Sequence, residues 1–260
     1  MDVYDQSIDI SRGNIFVRHW NPEPKNSDPP IILLHDSLGC VELWRDFPAE
    51  LFKRVNRPVI AYDRLGFGRS SIRKNQPSRD FIEEEAELFF PELLSALSCE
   101  KYLLFGHSVG GAMALSIAAQ DPRCNGVITE AAQVFVEERT QTGIREAKTN
   151  FKDPGQFSKL IKWHGSRAEW VLKAWTDVWL SSEFSNWSLE QILPLVECPV
   201  LAIHGDRDEF GSLAFPQMIV DDVGGRATAL ILENCGHTPH REYHEEVLRA
   251  IQSFLNDTAL

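Results

Sequence analysis

The sequence predicts an α/β fold built on a mostly parallel sheet. Short apolar runs recur at residues 30–35, 58–63, 101–107, 125–131, 199–205 and 228–233. They are nearly continuous rather than alternating, as strands buried on both faces require. Segments with helical spacing separate several of them, and such alternation of strand and helix produces parallel βαβ units.

Each element has its own signature. Residues 14–20, NIFVRHW, alternate apolar and polar positions and read as an edge strand. Residues 31–40, IILLHDSLGC, run from four apolar side chains into His35 and a tight turn that carries a charge at Asp36. Residues 81–97 place Phe81, Leu88, Phe89, Leu93 and Leu97 largely on one helical face. The acidic run inside that segment, EEEAE, reads as a solvated first turn that complements the helix dipole. Residues 108–120 are rich in small residues, as a helix packed closely on a sheet would be, and residues 240–255 form an amphipathic closing helix. Between about 132 and 195 helical spacing continues without a buried strand. Five of the seven tryptophans lie there: Trp163, Trp170, Trp175, Trp179 and Trp187. We expect residues 1–131 and 196–260 to form a core domain, and residues 132–195 a helical cap over one end of its sheet.

Composition bounds the function. A chain of 260 residues with 43% hydrophobic and 25% charged residues suits a soluble globular protein. The N-terminal MDVYDQSIDI has neither a basic segment nor an apolar one, so we expect no secretory signal and a cytoplasmic location. No apolar run approaches the roughly 20 residues that span a bilayer. A net charge of -12 argues against nucleic acid and anionic membranes as partners. The five cysteines are widely spaced, without a C-x-x-C pair, and suit buried reduced thiols rather than a disulfide framework or a zinc site.

The sharpest motif is Gly106-His107-Ser108-Val109-Gly110, which follows an expected strand and opens an expected helix. That context is what a G-x-S-x-G nucleophile elbow needs: a serine on a strained turn with nearly side-chain-free neighbours two residues away on each side. A nucleophilic serine requires a base, and the base an orienting acid, in the chain order Ser, Asp or Glu, His. Asp208 follows the 199–205 strand and His237 follows the 228–233 strand. Both stand at carboxyl ends of strands, where open α/β sheets bind ligands. Asp206 and Glu130 are the rival acids and His240 the rival base, with a helix N-terminal or surface role as its alternative. His107 is expected to point away from Ser108 and to serve packing, and His204 to close a strand in the core. His237 and His240 lack a third ligand at suitable spacing, so no metal is expected. Arg64 and Arg145 could meet a substrate carboxylate, but we expect both on the solvated surface.

With these motifs the chain resembles the α/β-hydrolase superfamily, in its serine-nucleophile, carboxylesterase-like form with a helical cap. The resemblance rests on residues 35–39 (HDSLG), 63–70 (DRLGFGRS), 106–111 (GHSVGG), 205–208 (GDRD) and 236–237 (GH). It implies that 63–70 is a structural turn beside the site. It also implies an oxyanion hole made of the Ser37 and Val109 backbone N–H groups. A serine at the elbow, rather than an aspartate, implies acyl transfer to water without a cofactor. The expected substrate is a small or medium carboxylic ester, partly apolar. Trp44, Trp163, Trp175 and Trp179 are the candidate pocket residues. The same triad in related folds cleaves lactones, thioesters or carbon–carbon bonds, and some relatives are ligand receptors, so these stay open. The motifs are silent on oligomeric state. Family loops usually have glycine where this chain has Asp36. We expect Asp36 to tolerate a left-handed backbone and to turn its carboxylate away from Ser108 into a polar network.

Overall fold

The computed structural model describes residues 1–21 and 28–258. In chain order its elements are β1 (Asp2–Ile10), β2 (Gly13–Asn21), β3 (Ile31–Leu34), α1 (Phe47–Val55), β4 (Val59–Tyr62), α2 (Phe81–Glu84), α3 (Phe90–Leu97), β5 (Tyr102–His107) and α4 (Val109–Ala118). They continue with β6 (Cys124–Glu130), α5 (Glu138–Asn150), α6 (Pro154–His164), α7 (Ala168–Trp179), β7 (Val200–Gly205), α8 (Ala214–Asp222), β8 (Ala227–Leu232), α9 (Pro239–Glu242) and α10 (His244–Asp257).

The strands form one eight-stranded sheet in the order β1-β2-β4-β3-β5-β6-β7-β8. From β4 to β8 every pairing is parallel; β2 joins β4 and β1 antiparallel. All six apolar runs form strands of this sheet. The central ones are covered on both faces, as β3 shows residue by residue. Ile32 and Leu34 enter a core shared with α2, α3 and α4, while Ile31 and Leu33 enter one shared with α1 and α10. All four are 0% exposed, and each contributes on the order of 1.5–3 kcal/mol by leaving water.

Three local expectations change. NIFVRHW lies within β2, yet β2 is not the edge. Residues 2–10 pair along its outer side with only Ile8 fully buried, so β1 is a largely solvated strand whose polar sequence hid it. At the other edge, β8 is mostly exposed rather than buried on both faces. Between α2 and α3 a π-helical turn, Glu85–Phe89, shifts the helical register. It carries Glu85 inward to 4% exposure, where the Tyr62 hydroxyl donates to its carboxylate at 2.8 Å, and it leaves Leu88 exposed. The acidic run is therefore not a uniformly solvated turn.

Segment 132–195 departs from and returns to the sheet at one place. Leu189 N–H donates to the Val134 carbonyl at 2.7 Å and Val136 N–H to that of Trp187 at 3.2 Å, tying its ends together. Helices α5, α6 and α7 lie between. His164 on α6 binds two loops of the core: its Nδ1 accepts from Gly68 N–H at 3.1 Å and its Nε2 donates to the Leu38 carbonyl at 2.9 Å. Those roles require a neutral ring, and burial holds its pKa down. The described cysteines are all free thiols, and no helix among the described residues is long and apolar enough to cross a membrane.

The 63–70 turn is held by the buried Asp63, whose carboxylate accepts from Val41 N–H at 2.6 Å and Arg69 N–H at 2.7 Å. Gly68, at φ +47, packs so closely that a Cβ would strike that carboxylate, whereas Gly165, at φ +58, has nothing within 4 Å of its Cβ position. Urea unfolding separates the two effects. Gly165→Ala should cost about 1–3 kcal/mol, from backbone strain alone, and Gly68→Ala clearly more, with Asp63 displaced as well.

Candidate active site

The link from β5 to α4 sets the geometry of the site. A Cβ on Gly106 would collide with the Gly110 carbonyl, and one on Gly110 with the carbonyl of Leu34 at the end of β3. Only glycine at both positions lets the helix start this close to the sheet. The residue between them, Ser108, is forced to φ 56, ψ -126, a region that L-residues rarely occupy. Its N–H donates to the Glu130 carbonyl at 2.8 Å. Its hydroxyl donates to Gln133 Oε1 at 3.3 Å. Val109 is the first residue of α4, so its N–H has no acceptor a turn earlier in the helix.

A cavity of about 200 Å³ opens over this turn. Ser108, His237 and Ser37 line it, together with Gln133, Phe210 and the tryptophans of α7, Trp175 and Trp179. His237 Nδ1 lies 2.9 Å from each carboxylate oxygen of Asp208. Asp208 is fully buried and also accepts from Phe210 N–H at 2.7 Å. Burial opposes its charge, but His237, His204 and that N–H outweigh it and keep its pKa below the usual range. Phe210 packs edge-on against His237, with centroids 4.8 Å apart, and against Trp175, at 5.6 Å. The ring of His237 is thus gripped at one nitrogen and along one face.

The rival residues are engaged elsewhere. Asp206 is exposed and caps Asn234 N–H at 2.7 Å. Glu130 serves His240, accepting from its Nδ1 at 2.6 Å and its backbone N–H at 3.0 Å. His240 is therefore a buried member of α9 rather than a surface group. His204 closes β7 in the core, 3.5 Å from Asp208.

His107 does more than pack. Its Nε2 donates to the carbonyl of His237 at 2.8 Å, and its Nδ1 stands 3.4 Å from the Asp36 carboxylate. Burial opposes charging this ring, yet Asp36, Glu130 and the His237 carbonyl prevail and push its pKa up to about 9. Asp36 is held correspondingly well below the usual carboxylate range: burial disfavours its charge, but His107, His35 and Leu38 N–H more than offset this. The second contact is local, with Leu38 N–H donating to Asp36 Oδ1 at 2.7 Å. The expected polar network is there, but Asp36 is absent from the described non-glycine residues with positive φ. The aspartate is accommodated by its side-chain partners, not by a left-handed backbone.

His107, Glu130 and His240 place their ligand atoms within 4.8 Å of one another, a donor set the sequence spacing did not reveal because it joins the ends of β5 and β6 to α9. Here the three are tied to one another, with Glu130 2.6 Å from His240 Nδ1 and 3.9 Å from His107 Nε2.

Two pocket assignments are corrected. Trp44 is 4% exposed and packs on Phe47, Phe105 and His240 beneath the sheet edge, so it does not line the Ser108 cavity. Trp163 is half-buried on the outer side of α6, with the Lys162 ammonium 4.4 Å from its ring, and is likewise not in that wall. Helical spacing alone could not say which tryptophans face inward. Gln133 and Phe210 went unnoticed; their only signal was proximity to the ends of β6 and β7.

The model of the alpha/beta hydrolase family matches residues 31–250. The chain belongs to the alpha/beta hydrolase family. Among curated proteins, mouse serine hydrolase BPHL is 28% identical over 238 residues, covering 86% of this chain and 78% of its own. Among solved structures, a bacterial membrane phospholipase A matches at TM-score 0.80 and 23% identity, covering 99% of this chain and 87% of that one. The enol-lactonase from Burkholderia xenovorans LB400 matches at 0.75 and 16%, covering 96% and 100%. At those identities the structural likeness is one of fold. In this alpha/beta hydrolase, then, the hydrolase fold is joined to a loop with an acidic residue at position 36.

The His107–Asp36 pair has a measurable signature. Because the folded ring holds its proton more tightly than a free imidazole, the pair's contribution to stability is complete below about pH 6.5 and fades as pH rises to about 9. Histidine NMR should find the His107 ring protonated at pH 7, and Asp36→Asn should move its midpoint downward and flatten the stability loss between pH 7 and 9.

Proposed function

We propose that this protein is a serine hydrolase that cleaves small or medium carboxylic esters through an acyl-enzyme. The carrying observation is that His237, held by the buried Asp208 at 2.9 Å, stands in the wall of the same cavity as the strained Ser108. The name of the mouse relative, a serine hydrolase, supports the same reading.

In this mechanism the substrate carbonyl sits over Ser108. The serine hydroxyl leaves Gln133, gives its proton to Nε2 of His237, and its oxygen attacks the carbonyl carbon. Asp208 fixes the tautomer with the proton on Nδ1 and stabilises the imidazolium that forms. The N–H groups of Ser37 and Val109 receive the oxyanion; losing one such donor typically costs roughly 100- to 1000-fold. The leaving alcohol takes the proton from His237, and water then repeats the sequence on the acyl group. Segment 132–195 acts as the cap, its Trp175 and Trp179 giving the cavity an apolar wall suited to an acyl chain.

Asp36 fits this scheme because its charge is neutralised. A free carboxylate beside an oxyanion would oppose catalysis by Coulomb repulsion, whereas one paired with the His107 imidazolium adds little net field. Through its bond to the His237 carbonyl and its contact with Asp36, His107 also connects the loop of the base to the loop of the oxyanion hole.

Hydrolysis of p-nitrophenyl esters of increasing chain length tests the proposal. Ser108→Ala should abolish turnover, and Asp208→Asn should lower kcat by about 10⁴-fold. Glu130→Gln should cost far less, since Glu130 serves His240. Activity that survives Ser108→Ala, or a larger loss in Glu130→Gln than in Asp208→Asn, would overturn the assignment.

A further inference from the structure

Next to the Ser108 cavity lies a smaller compartment, and the two share Ser37, Trp175 and Trp179 in their walls. The compartment has room for about 20 Å³, one water-sized group. Its wall also carries Arg64, Arg73 and Glu85.

Arg64 is not the solvated surface residue its sequence context suggested. It is 4% exposed. One guanidinium nitrogen, Nη2, donates to the Asp36 carbonyl at 2.8 Å, and the Phe67 ring lies 4.4 Å from the guanidinium carbon. Its Nε is buried with no hydrogen-bond partner. Among the described residues no carboxylate lies within 4.0 Å of this guanidinium. Arg73 pairs with Glu84 at 2.5 Å. Glu85 accepts from Tyr62 and is the main carboxylate that Arg64 feels through space, although burial raises its pKa. His35 offers no negative charge, since it accepts from Arg64 N–H at 3.1 Å and burial keeps its ring neutral. A guanidinium cannot shed its proton in a protein, and Glu85 and Asp36 compensate this one only from a distance, leaving its buried Nε without a partner. Arg145, by contrast, is exposed and paired with Glu138 at 2.9 Å.

We propose that this compartment is a carboxylate subsite, in which Arg64 receives the free carboxylate of an ester whose scissile carbonyl stands at Ser108. The inference rests on the hydrolase reading above and narrows its substrates to short esters with a terminal carboxylate, such as hemiesters of dicarboxylic acids. Room for one water-sized group suits a carboxylate oxygen and is too little for a phosphate. The shared wall lets one chain run from Ser108 past Ser37 to Arg64.

The test compares p-nitrophenyl hemiesters of succinate, glutarate and adipate with the matched butyrate, valerate and hexanoate esters. The wild type should favour at least one hemiester over its neutral partner by about tenfold or more in kcat/KM, mostly through KM. Arg64→Gln should remove that preference, and Arg64→Lys should retain part of it. Should Arg64→Gln fail to fold, free dicarboxylates should still inhibit wild-type hydrolysis of the neutral ester at concentrations about tenfold below those of the matched monoamides. Hydrolysis of neutral esters with no preference for any hemiester, or a preference unchanged in Arg64→Gln, overturns the subsite and leaves the hydrolase reading standing. Turnover of neither ester class overturns both.

Discussion

The structure depends on a close approach of three backbones. Gly106 touches the start of α4, and Gly110 touches the end of β3, so the strand, the Ser108 turn and the loop after β3 are set against one another without side chains between them. That contact forces Ser108 into its strained conformation and fixes the position of the loop that carries Ser37. Strain of this kind costs of order 1–3 kcal/mol and persists only where the surroundings over-determine it. Here the surroundings are a doubly covered parallel sheet, in which β3 alone sends side chains into two cores.

Charge is the second constraint. The carboxyl end of the sheet gathers Asp36, Glu130, Asp208, His107, His237 and His240 in or beside low-dielectric surroundings. Each carboxylate has its own imidazole: Asp208 with His237, Glu130 with His240, Asp36 with His107. This division explains why Glu130, well placed by topology, is not the partner of His237. It also explains how a loop that usually carries glycine holds an aspartate. His107 is the joint, since it binds Asp36 on one loop and the His237 carbonyl on another.

Much of this was legible in the sequence, for physical reasons. The six apolar strands announced themselves because burial on both faces leaves no room for polar residues. That Ser108, Asp208 and His237 gather at one end of the sheet could be read because each follows a strand end, where the fold leaves little positional freedom. What was hidden lay in three-dimensional contacts. β1 is polar because its strand lies at the solvated edge. Glu85 turns inward through a π-helical turn, which helical periodicity cannot show. Trp163 lies in the same tryptophan-rich segment as Trp175 and Trp179, yet only the latter two reach the Ser108 cavity, and Trp44, close to that loop in sequence, does not. Arg64 sits in a motif that reads as a surface turn, but the packing of Phe67, Asp36 and His35 encloses it.

The central claim is that Ser108 is the nucleophile of this site, and covalent labelling tests it without knowledge of the substrate. A small fluorophosphonate, which reacts with serines activated as in the acyl-transfer step, should add once per chain, and peptide mass spectrometry should place the adduct on Ser108. His237→Ala should suppress the labelling. An adduct on another residue, or equal labelling in Ser108→Ala, would contradict the account.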